Sequence, residues 1–283
     1  MRDWHSTVAL VTGGGSGIGR ALARRAGAEG AAVAVVDIDA SRAAIVAEEI
    51  TAAGGTARSY GCDIADASAV ADLAAQVQAE LGNVNYLFNN AGICTGSTLE
   101  KTRLADARWL FEVNVLGTLS CTQAILPQLR AAAASGHTAH IITTGSENSL
   151  GLPVLGPTSV YTATKHAVLG LMDALRRDLK DSGIKVSLLC PGLVRTDLLD
   201  SKRLRPAAYG GPEHASPEQR ARVDAFMAAQ GQDPDLTARL CFEGIARGDF
   251  IIPTDPKIRD FAQRRHQEVE TALDVLDASL AAL

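Results

Sequence analysis

The sequence predicts a single α/β domain in which a doubly wound parallel sheet is covered by helices on both faces. Short apolar runs alternate with Ala-rich helical stretches, and no linker or internal repeat divides the 283 residues. Such short apolar strands are typical of parallel sheets that are buried on both faces. The candidate strands are 8–11, 32–36, 57–62, 86–88, 140–143, 185–189 and 250–252, and the candidate helices include 21–29, 41–53, 67–81 and 104–133. We therefore treat residues 1–283 as one domain.

Composition and charge narrow the class of protein. Apolar residues make up 47% of the chain and charged residues 21%, which suits a domain with a large core. The net charge of -5, without a dense basic block, argues against nucleic acid and anionic membrane as partners. The first apolar run, 8–11, is too short for a signal sequence, and no run approaches a membrane span.

The cysteines and histidines form no recognisable metal or disulfide pattern. Five cysteines are scattered without a C-x-x-C pair, as expected for small buried hydrophobic residues in a reducing compartment. His137 and His140 are the closest histidines, and no carboxylate or third ligand lies near them. We expect a cytoplasmic protein with no metal.

A glycine-rich turn follows the first strand and opens a helix. Gly13, Gly17 and Gly19 give the spacing G-x-x-x-G-x-G. Glycine permits a tight turn and close approach of the backbone to a pyrophosphate, which the free N–H groups of a helix N-terminus bind. The candidate cofactor-binding residues here are Gly13, Ser16, Gly17, Ile18 and Gly19. The alternative is that the stretch is simply a tight connection.

The second strand ends at Asp37, 18 residues after the last glycine (37 − 19). An acid at about this distance hydrogen-bonds a ribose 2′-OH and repels a 2′-phosphate. No Arg or Lys follows before Arg42. The sequence thus favours NAD over NADP, unless Asp37 only caps the following turn or helix.

Further candidate cofactor contacts follow the third and fourth strands, where a doubly wound sheet presents its carboxyl edge to a ligand. Asp63 is placed to meet the adenine amino group, and Ala91-Gly92 let the chain approach the cofactor closely. The full set is Asp63, Ile64, Asn90, Ala91 and Gly92. Each of them alone is equally consistent with turn chemistry.

Tyr161 and Lys165 lie on one face of a predicted helix, because they are four positions apart (165 − 161) in an apolar-periodic run. A phenol has an ordinary pKa of about 10. A nearby ammonium favours the phenolate and draws that pKa toward the working pH, which suits an acid–base catalyst. Taken alone the pair is weak evidence, because such pairs are common on helix surfaces.

Together these motifs resemble the classical short-chain dehydrogenase/reductase (SDR) family from residue 8 to about residue 197. The matching positions are Thr12 to Gly19, Asp63, Asn89 to Gly92, Asn114, Ser146, Tyr161 with Lys165, and Pro191-Gly192 followed by Thr196. The resemblance implies a Rossmann-like, NAD-dependent oxidoreductase that interconverts a secondary alcohol and a ketone. It also implies a homo-oligomer, either a dimer or a tetramer.

The resemblance implies a role for each matching residue. Tyr161 would exchange a proton with the substrate oxygen, Lys165 would hold the nicotinamide ribose, and Ser146 would hydrogen-bond the same substrate oxygen. Asn114 would help to hold a proton-relay water near Lys165. Val194 and Thr196 would bind the nicotinamide carboxamide.

One departure from the family concerns the serine. Ser146 precedes Tyr161 by 15 positions (161 − 146), farther than is usual, and Ser149 is a rival at 12 (161 − 149). We prefer Ser146 because it directly follows a strand. Glu147, its neighbour, either contacts a polar substrate group or belongs to a turn. The extra length falls in loop 151–157, which we expect to line the pocket.

The chain beyond residue 197 carries no motif of its own. Residues 198–217 are rich in Gly, Pro and basic residues and are predicted to form an irregular lid over the substrate. Arg203 and Arg205 within this segment either approach the cofactor phosphates or are solvated. Residues 257–281 are predicted to form an amphipathic helix that packs on its own subunit or contacts a partner subunit.

Two alternatives to the NAD-dependent enzyme stay open. One is a carbonyl reductase that prefers NADPH, and the other is a non-catalytic dinucleotide-binding module of the same fold. A module without catalysis has no reason to keep Asn114, Ser146, Tyr161 and Lys165 together. The chain has no G-x-S-x-G or G-x-x-x-x-G-K-[ST] motif, which leaves hydrolase and nucleotide triphosphatase functions without support.

Overall fold

A seven-stranded parallel sheet forms the centre of the computed structural model, which describes residues 4–153 and 156–283. Its strands are β1 (Val8–Thr12), β2 (Ala32–Asp37), β3 (Thr56–Gly61), β4 (Tyr86–Asn89), β5 (Ala139–Thr144), β6 (Ile184–Cys190) and β7 (Ile251–Pro253). The order across the sheet is β3-β2-β1-β4-β5-β6-β7, and every neighbouring pair is parallel. The predicted doubly wound sheet is confirmed. Its order reverses between β1 and β4, which opens a crevice at their carboxyl ends.

Helices cover both faces of this sheet, as predicted. They are α1 (Gly17–Ala28), α2 (Ala40–Ala52), α3 (Ala67–Leu81), α4 (Leu104–Phe111), α5 (Thr118–Ala134), α6 (Ser159–Asp178), α7 (Pro217–Gln230), α8 (Pro234–Arg247) and α9 (Ile258–Ala281). One core cluster joins the sheet to α3, α5 and α6 through residues such as Leu73, Leu129 and Met172. A second joins the other face to α1, α2 and α8 through residues such as Leu22 and Phe242.

The predicted helix 104–133 departs from regular α-helix in its middle. A six-residue π-helix, Glu112–Gly117, separates α4 from α5. Hydrophobic periodicity does not register such a widened turn, because the apolar face continues through it. Short π-helical segments occur frequently at functional sites, and this one contains Asn114.

The segment predicted to be irregular contains short helices. The stretches Asp197–Leu204 and Ala207–Tyr209 are 3-10 helical, and α7 begins at Pro217 behind a capping box formed by Ser216 and Gln219. All five cysteines are buried free thiols, as predicted. Among the residues that the structure describes, no helix is long and apolar enough to cross a membrane.

Candidate active site

A pocket at the carboxyl edge of the sheet brings together nearly all of the predicted site residues. Its lining includes Gly13, Ser16, Gly17, Ile18, Asp37, Asp63, Ile64, Asn90, Ala91, Gly92, Ser146, Tyr161, Lys165, Val194 and Thr196. Gly19 and Asn114 are absent from this lining. Both lie directly behind lining residues: Gly19 packs against Gly13, and Asn114 packs against Gly92.

The glycine turn has the close packing that a diphosphate cradle requires. A β-carbon on Gly19 would lie 2.0 Å from the carbonyl oxygen of Gly13, so no larger residue fits there. Gly17 has φ +50° and packs against Thr196, whose Cγ2 would be 2.6 Å from an added β-carbon. Ser16 caps α1 without a side-chain hydrogen bond to the helix, which leaves its hydroxyl available to an anion. The turn therefore fits the pyrophosphate of a dinucleotide.

Asp37 is held in place at the end of β2 by two backbone donors. Its Oδ2 accepts from the N–H of Gly15 at 2.9 Å and its Oδ1 from the N–H of Asp39 at 3.0 Å. Arg42 also lines the pocket. It was not predicted to lie there, because it comes five positions after Asp37 (42 − 37). Its guanidinium lies 2.7 Å from Asp197 and 3.7 Å from Asp39. This cation is therefore already paired beside the Asp37 carboxylate.

Ser146, Tyr161 and Lys165 converge at the other end of the pocket. The Ser146 hydroxyl donates to Oδ1 of Asn148 at 3.1 Å and accepts from the Asn148 N–H at 3.2 Å. Lys165 Nζ donates to the backbone carbonyl of Thr144 at 2.8 Å and lies 5.7 Å from the centroid of the Tyr161 ring. Both Tyr161 and Lys165 are buried. The three side chains are thus packed together at one end of the pocket.

Burial shifts the pKa values of Tyr161 and Lys165 in opposite directions. It raises the pKa of the Tyr161 phenol, and hydrogen bonding with Ser146 acts against this rise. It lowers the pKa of the Lys165 ammonium to about 8. The expected lowering of the tyrosine pKa by Lys165 does not appear in this structure, because the penalty for burying a phenolate dominates.

The two candidate serines have different surroundings. Ser146 lines the pocket. Ser149 is buried outside the lining, and its hydroxyl donates to the backbone carbonyl of Lys165 at 2.8 Å and accepts from the Ser146 N–H at 3.2 Å. Ser149 therefore ties the loop after β5 to α6, and Ser146 faces the ligand space.

Asn114 braces the wall behind Gly92. Its Oδ1 accepts from the N–H of Ile93 at 2.8 Å, and its Nδ2 donates to the Ile93 carbonyl at 3.0 Å and to Thr164 at 3.1 Å. A β-carbon on Gly92 would lie 3.3 Å from Asn114 Oδ1 and 3.6 Å from Lys165 Nζ. The π-helix thus places Asn114 next to the buried lysine.

Glu147 contributes a carboxyl group to the pocket directly beside Ser146. Burial raises the pKa of Glu147 to about 7, the charge of Asp255 adds to the rise, and Lys257 opposes it. The only sequence signal for this residue was its position after β5. Asp255 and Lys257 come from the distant C-terminal segment, so the sequence did not reveal their effect.

The segment after β6 closes one side of the pocket. Arg203 lines it, with its guanidinium 3.8 Å from both Asp197 and Asp200. Arg205 does not line the pocket. The expectation that Arg205 is solvated or approaches the cofactor phosphates is therefore wrong. It is buried, and its Nη1 lies 2.8 Å from Oδ1 of Asp106 on α4. A long-range ion pair of this kind has no local sequence signal.

The loop after the serine contributes less than expected. Residues 154 and 155 of the predicted pocket loop 151–157 lie outside the described residues. The described residues of that loop do not line the pocket, whereas Thr158 immediately after it does. Within the two described ranges, no group of three His, Cys, Asp or Glu side chains is arranged to hold a metal ion.

Comparisons with known proteins agree with this fold. The sequence model described as short chain dehydrogenase matches residues 7–207. C alpha-dehydrogenase from Sphingobium sp. is 30% identical over 271 residues, covering 95% of this chain and 87% of the relative. The 2,5-dichloro-2,5-cyclohexadiene-1,4-diol dehydrogenase of Sphingobium indicum is 40% identical over 202 residues, covering 70% of this chain and 77% of the relative. The crystal structure of a short chain dehydrogenase/reductase from Burkholderia phymatum in complex with NAD superimposes with a TM-score of 0.86 at 32% identity, covering 96% of this chain and 97% of that one.

Proposed function

This chain belongs to the short chain dehydrogenase family, and from that membership we propose that it is an NAD-dependent oxidoreductase that interconverts a secondary alcohol and a ketone. One observation carries the proposal. The Ser146, Tyr161 and Lys165 side chains share a pocket with the glycine turn and Asp37. Two of the relatives are named as dehydrogenases, one of them of a diol, and a structural relative is a complex with NAD.

The proposed chemistry separates a hydride from a proton. Bound NAD, in its oxidised form, would accept the hydride that leaves the carbinol carbon and would bring a positive charge into the pocket. In its phenolate form, which the Lys165 ammonium and the positive charge of oxidised NAD would favour over the neutral phenol once the cofactor is bound, Tyr161 takes the proton of the substrate hydroxyl as the C–O bond becomes a carbonyl. It returns that proton in the reverse direction. Ser146 hydrogen-bonds the same oxygen, on which charge develops. Its hydroxyl reaches the substrate by exchanging the hydrogen bond that it now donates to Asn148.

Lys165 and Asn114 position the reacting groups. Lys165 binds the nicotinamide ribose and presents its ammonium to Tyr161 from a distance of 5.7 Å to the ring centroid. Asn114 holds the wall at Ile93 and a water on the path of the proton beside Lys165. Val194 and Thr196, which line the same pocket, bind the carboxamide.

Asp37 selects NAD in this proposal. Its carboxylate, fixed by two backbone N–H groups, accepts hydrogen bonds from the adenosine ribose hydroxyls and repels a 2′-phosphate. An NADPH-preferring carbonyl reductase is the second candidate, since Arg42 lines the same end of the pocket. The pairing of Arg42 with Asp197 and Asp39 favours the first candidate.

Three further features belong to the proposal. The segment 198–217 acts as a lid over the substrate, supported by Arg203 and Leu204 in the pocket lining. The chain forms a homo-oligomer, a dimer or tetramer, supported by exposed apolar side chains such as Leu116 and Leu119. The location is cytoplasmic, supported by the five free thiols.

A direct assay tests the function. The purified protein is screened against secondary alcohols with NAD and against ketones with NADH, following the absorbance of the reduced nicotinamide. We expect turnover of at least one alcohol/ketone pair, with loss of that turnover in Tyr161→Phe. NADH binding without turnover of any pair in a broad screen would favour the non-catalytic module.

A further inference from the structure

The carboxyl group of Glu147 has no partner among the residues that the structure describes. Glu147 lines the pocket beside Ser146 and is half-buried. Its backbone is fully bonded, because its N–H donates to the Pro191 carbonyl at 2.8 Å and its carbonyl accepts from the Leu150 N–H at 3.0 Å. No described donor or cation pairs with its carboxylate oxygens. A half-buried carboxyl of this kind is therefore left to a ligand or to water.

The polar side chains next to Glu147 already have their partners. Asn148 also lines the pocket, but its Nδ2 donates to Thr162 at 2.7 Å and its Oδ1 accepts from Ser146 at 3.1 Å. The hydroxyl of Thr158 lies 3.4 Å from the same Nδ2 and 3.5 Å from the Thr162 hydroxyl. Glu147 is thus the side chain of this stretch that still requires a hydrogen-bond donor.

The charges around Glu147 disfavour an anionic ligand. Asp255 packs behind the pocket wall, since a β-carbon on Gly192 would lie 2.7 Å from the Asp255 Cβ. Burial raises the pKa of Glu147 to about 7, the charge of Asp255 adds to the rise, and Lys257 opposes it. A carboxylate or phosphate on the substrate would meet this acidic pair and be repelled.

The pocket around Tyr161 is otherwise apolar. Tyr161 belongs to a hydrophobic cluster, and the members of that cluster that line the pocket include Trp109, Val113, Leu198 and Leu204. A substrate that fills this space has an apolar body, and that body displaces water from the neighbouring carboxyl. A buried polar group that loses its partners is costly, so the substrate must itself supply a donor.

Resting on the proposed function, we propose that the substrate pair is an apolar secondary alcohol and its ketone with a second hydroxyl group, which donates to the Glu147 carboxylate while Ser146 and Tyr161 hold the reacting oxygen. A hydroxyl suits both forms of the carboxyl, because it donates to a carboxylate and accepts from a carboxylic acid. An ammonium would bring a full charge into an apolar pocket.

The second hydroxyl lies close to the reacting carbon. Ser146 and Glu147 are consecutive, and consecutive Cα atoms are about 3.8 Å apart. The hydroxyl therefore belongs on the carbon next to the reacting carbon or on the one after it. Glu147 acts as a specificity-determining residue, because an analogue without the hydroxyl leaves the carboxyl unpaired.

Binding of matched ketones to Tyr161→Phe protein saturated with NADH tests this without turnover. The ligands are acetophenone, propiophenone, α-hydroxyacetophenone, β-hydroxypropiophenone and the methyl ethers of the two hydroxy ketones. Calorimetry is performed at about pH 8.5, where Glu147 is ionised and can only accept. We expect at least one hydroxy ketone to bind about 10- to 100-fold more tightly than its ether and its parent ketone, because its hydrogen bond is to a charged group.

Substitutions in the same background assign that preference to Glu147. Glu147→Leu should abolish it, and Glu147→Gln, which keeps an acceptor oxygen, should retain part of it. Asp255→Asn is the matched control: it removes the adjacent charge outside the pocket lining and keeps an acceptor for the Lys257 N–H. It should keep the full preference. All of these proteins should share one circular dichroism spectrum and one NADH affinity.

Four results overturn the proposal. They are equal affinities for each hydroxy ketone and its ether, a preference that survives in Glu147→Leu, an equal loss of preference in Asp255→Asn, and failure of the whole series to bind. Tighter binding of α-aminoacetophenone than of α-hydroxyacetophenone would assign the carboxylate to an ammonium and overturn it too. Wild-type turnover without a hydroxyl preference contradicts this proposal alone. A hydroxyl preference in binding without turnover of any alcohol contradicts the proposed function alone.

Discussion

Arg205 and Asp106 form a buried ion pair, with Nη1 and Oδ1 2.8 Å apart although the two residues are 99 positions apart in the sequence. The same guanidinium lies 3.1 Å from Glu213 and donates to the carbonyl of Gly211 at 2.7 Å. Arg205 therefore ties the proposed lid to α4.

The lid proposal predicts ligand-dependent hydrogen exchange. Exchange in 198–217 should be fast in the free protein and slower in a ternary complex with NAD and a substrate analogue, because closure would exclude water. Equally slow exchange in both states would show that the segment is a fixed wall.

Replacing the lid's anchor should loosen it. Arg205→Met leaves Asp106 buried without its partner, an effect that typically costs about 3–5 kcal/mol. We expect a lower melting temperature and fast exchange in 198–217 even in the ternary complex. The matched control is Arg220→Met, which removes an exposed pair with Asp200 in the same region. Such pairs contribute about 0–1 kcal/mol. Equal effects of the two substitutions would contradict the anchoring role.

Asp37 should determine the choice of cofactor. Wild type is expected to have a higher kcat/KM with NAD than with NADP, and Asp37→Ser should narrow that ratio by about 10- to 100-fold, since hydrogen bonds to charged groups contribute about 1.5–3 kcal/mol. The control is Asp63→Ser at the adenine end, which should weaken both cofactors equally. Equal or better efficiency of the wild type with NADP would refute the assignment.

Replacing Ser146 should mainly lower turnover, whereas replacing Ser149 should mainly lower stability. Ser146→Ala removes a donor to the substrate oxygen and should lower kcat by about 10²- to 10³-fold. Ser149→Ala leaves the buried Lys165 carbonyl without its hydroxyl donor and should lower stability by about 1–3 kcal/mol with a smaller effect on kcat. The assignment is reversed if folded Ser149→Ala loses more turnover than Ser146→Ala.

Glu147 should make stability depend on pH. Its pKa in the folded protein is raised from 4.5 to about 7, so unfolding releases a proton between these values and stability falls as the pH rises through that window. Glu147→Gln removes the buried charge. We expect its melting temperature to exceed that of wild type by more at pH 8 than at pH 5. The same increment at both pH values would show that Glu147 ionises normally in the folded state.

Much of the fold was predictable because its signals are local. Strands such as β1 and β2 are short apolar runs, and the glycine turn and Asp37 are recognised by spacing within one β-α-β unit. The π-helix around Asn114 was not predictable, because an apolar face continues through it. Arg205 and the environment of Glu147 depend on contacts between distant segments. The direction of the Tyr161 pKa shift depends on burial, which a two-residue motif does not report.

The central claim is that Tyr161 moves the substrate proton, and kinetics of Tyr161→Phe test it most directly. The substitution removes only the hydroxyl, so turnover of the best alcohol should fall by about 10²- to 10⁴-fold while the affinity for NADH stays near that of wild type. Tyr60→Phe is the matched control, because that buried tyrosine lies on β3 and bonds Glu80 at 3.1 Å, outside the pocket lining. Its turnover should be close to wild type. A Tyr161→Phe protein that keeps a third or more of wild-type turnover, with chemistry rate-limiting, would contradict the account.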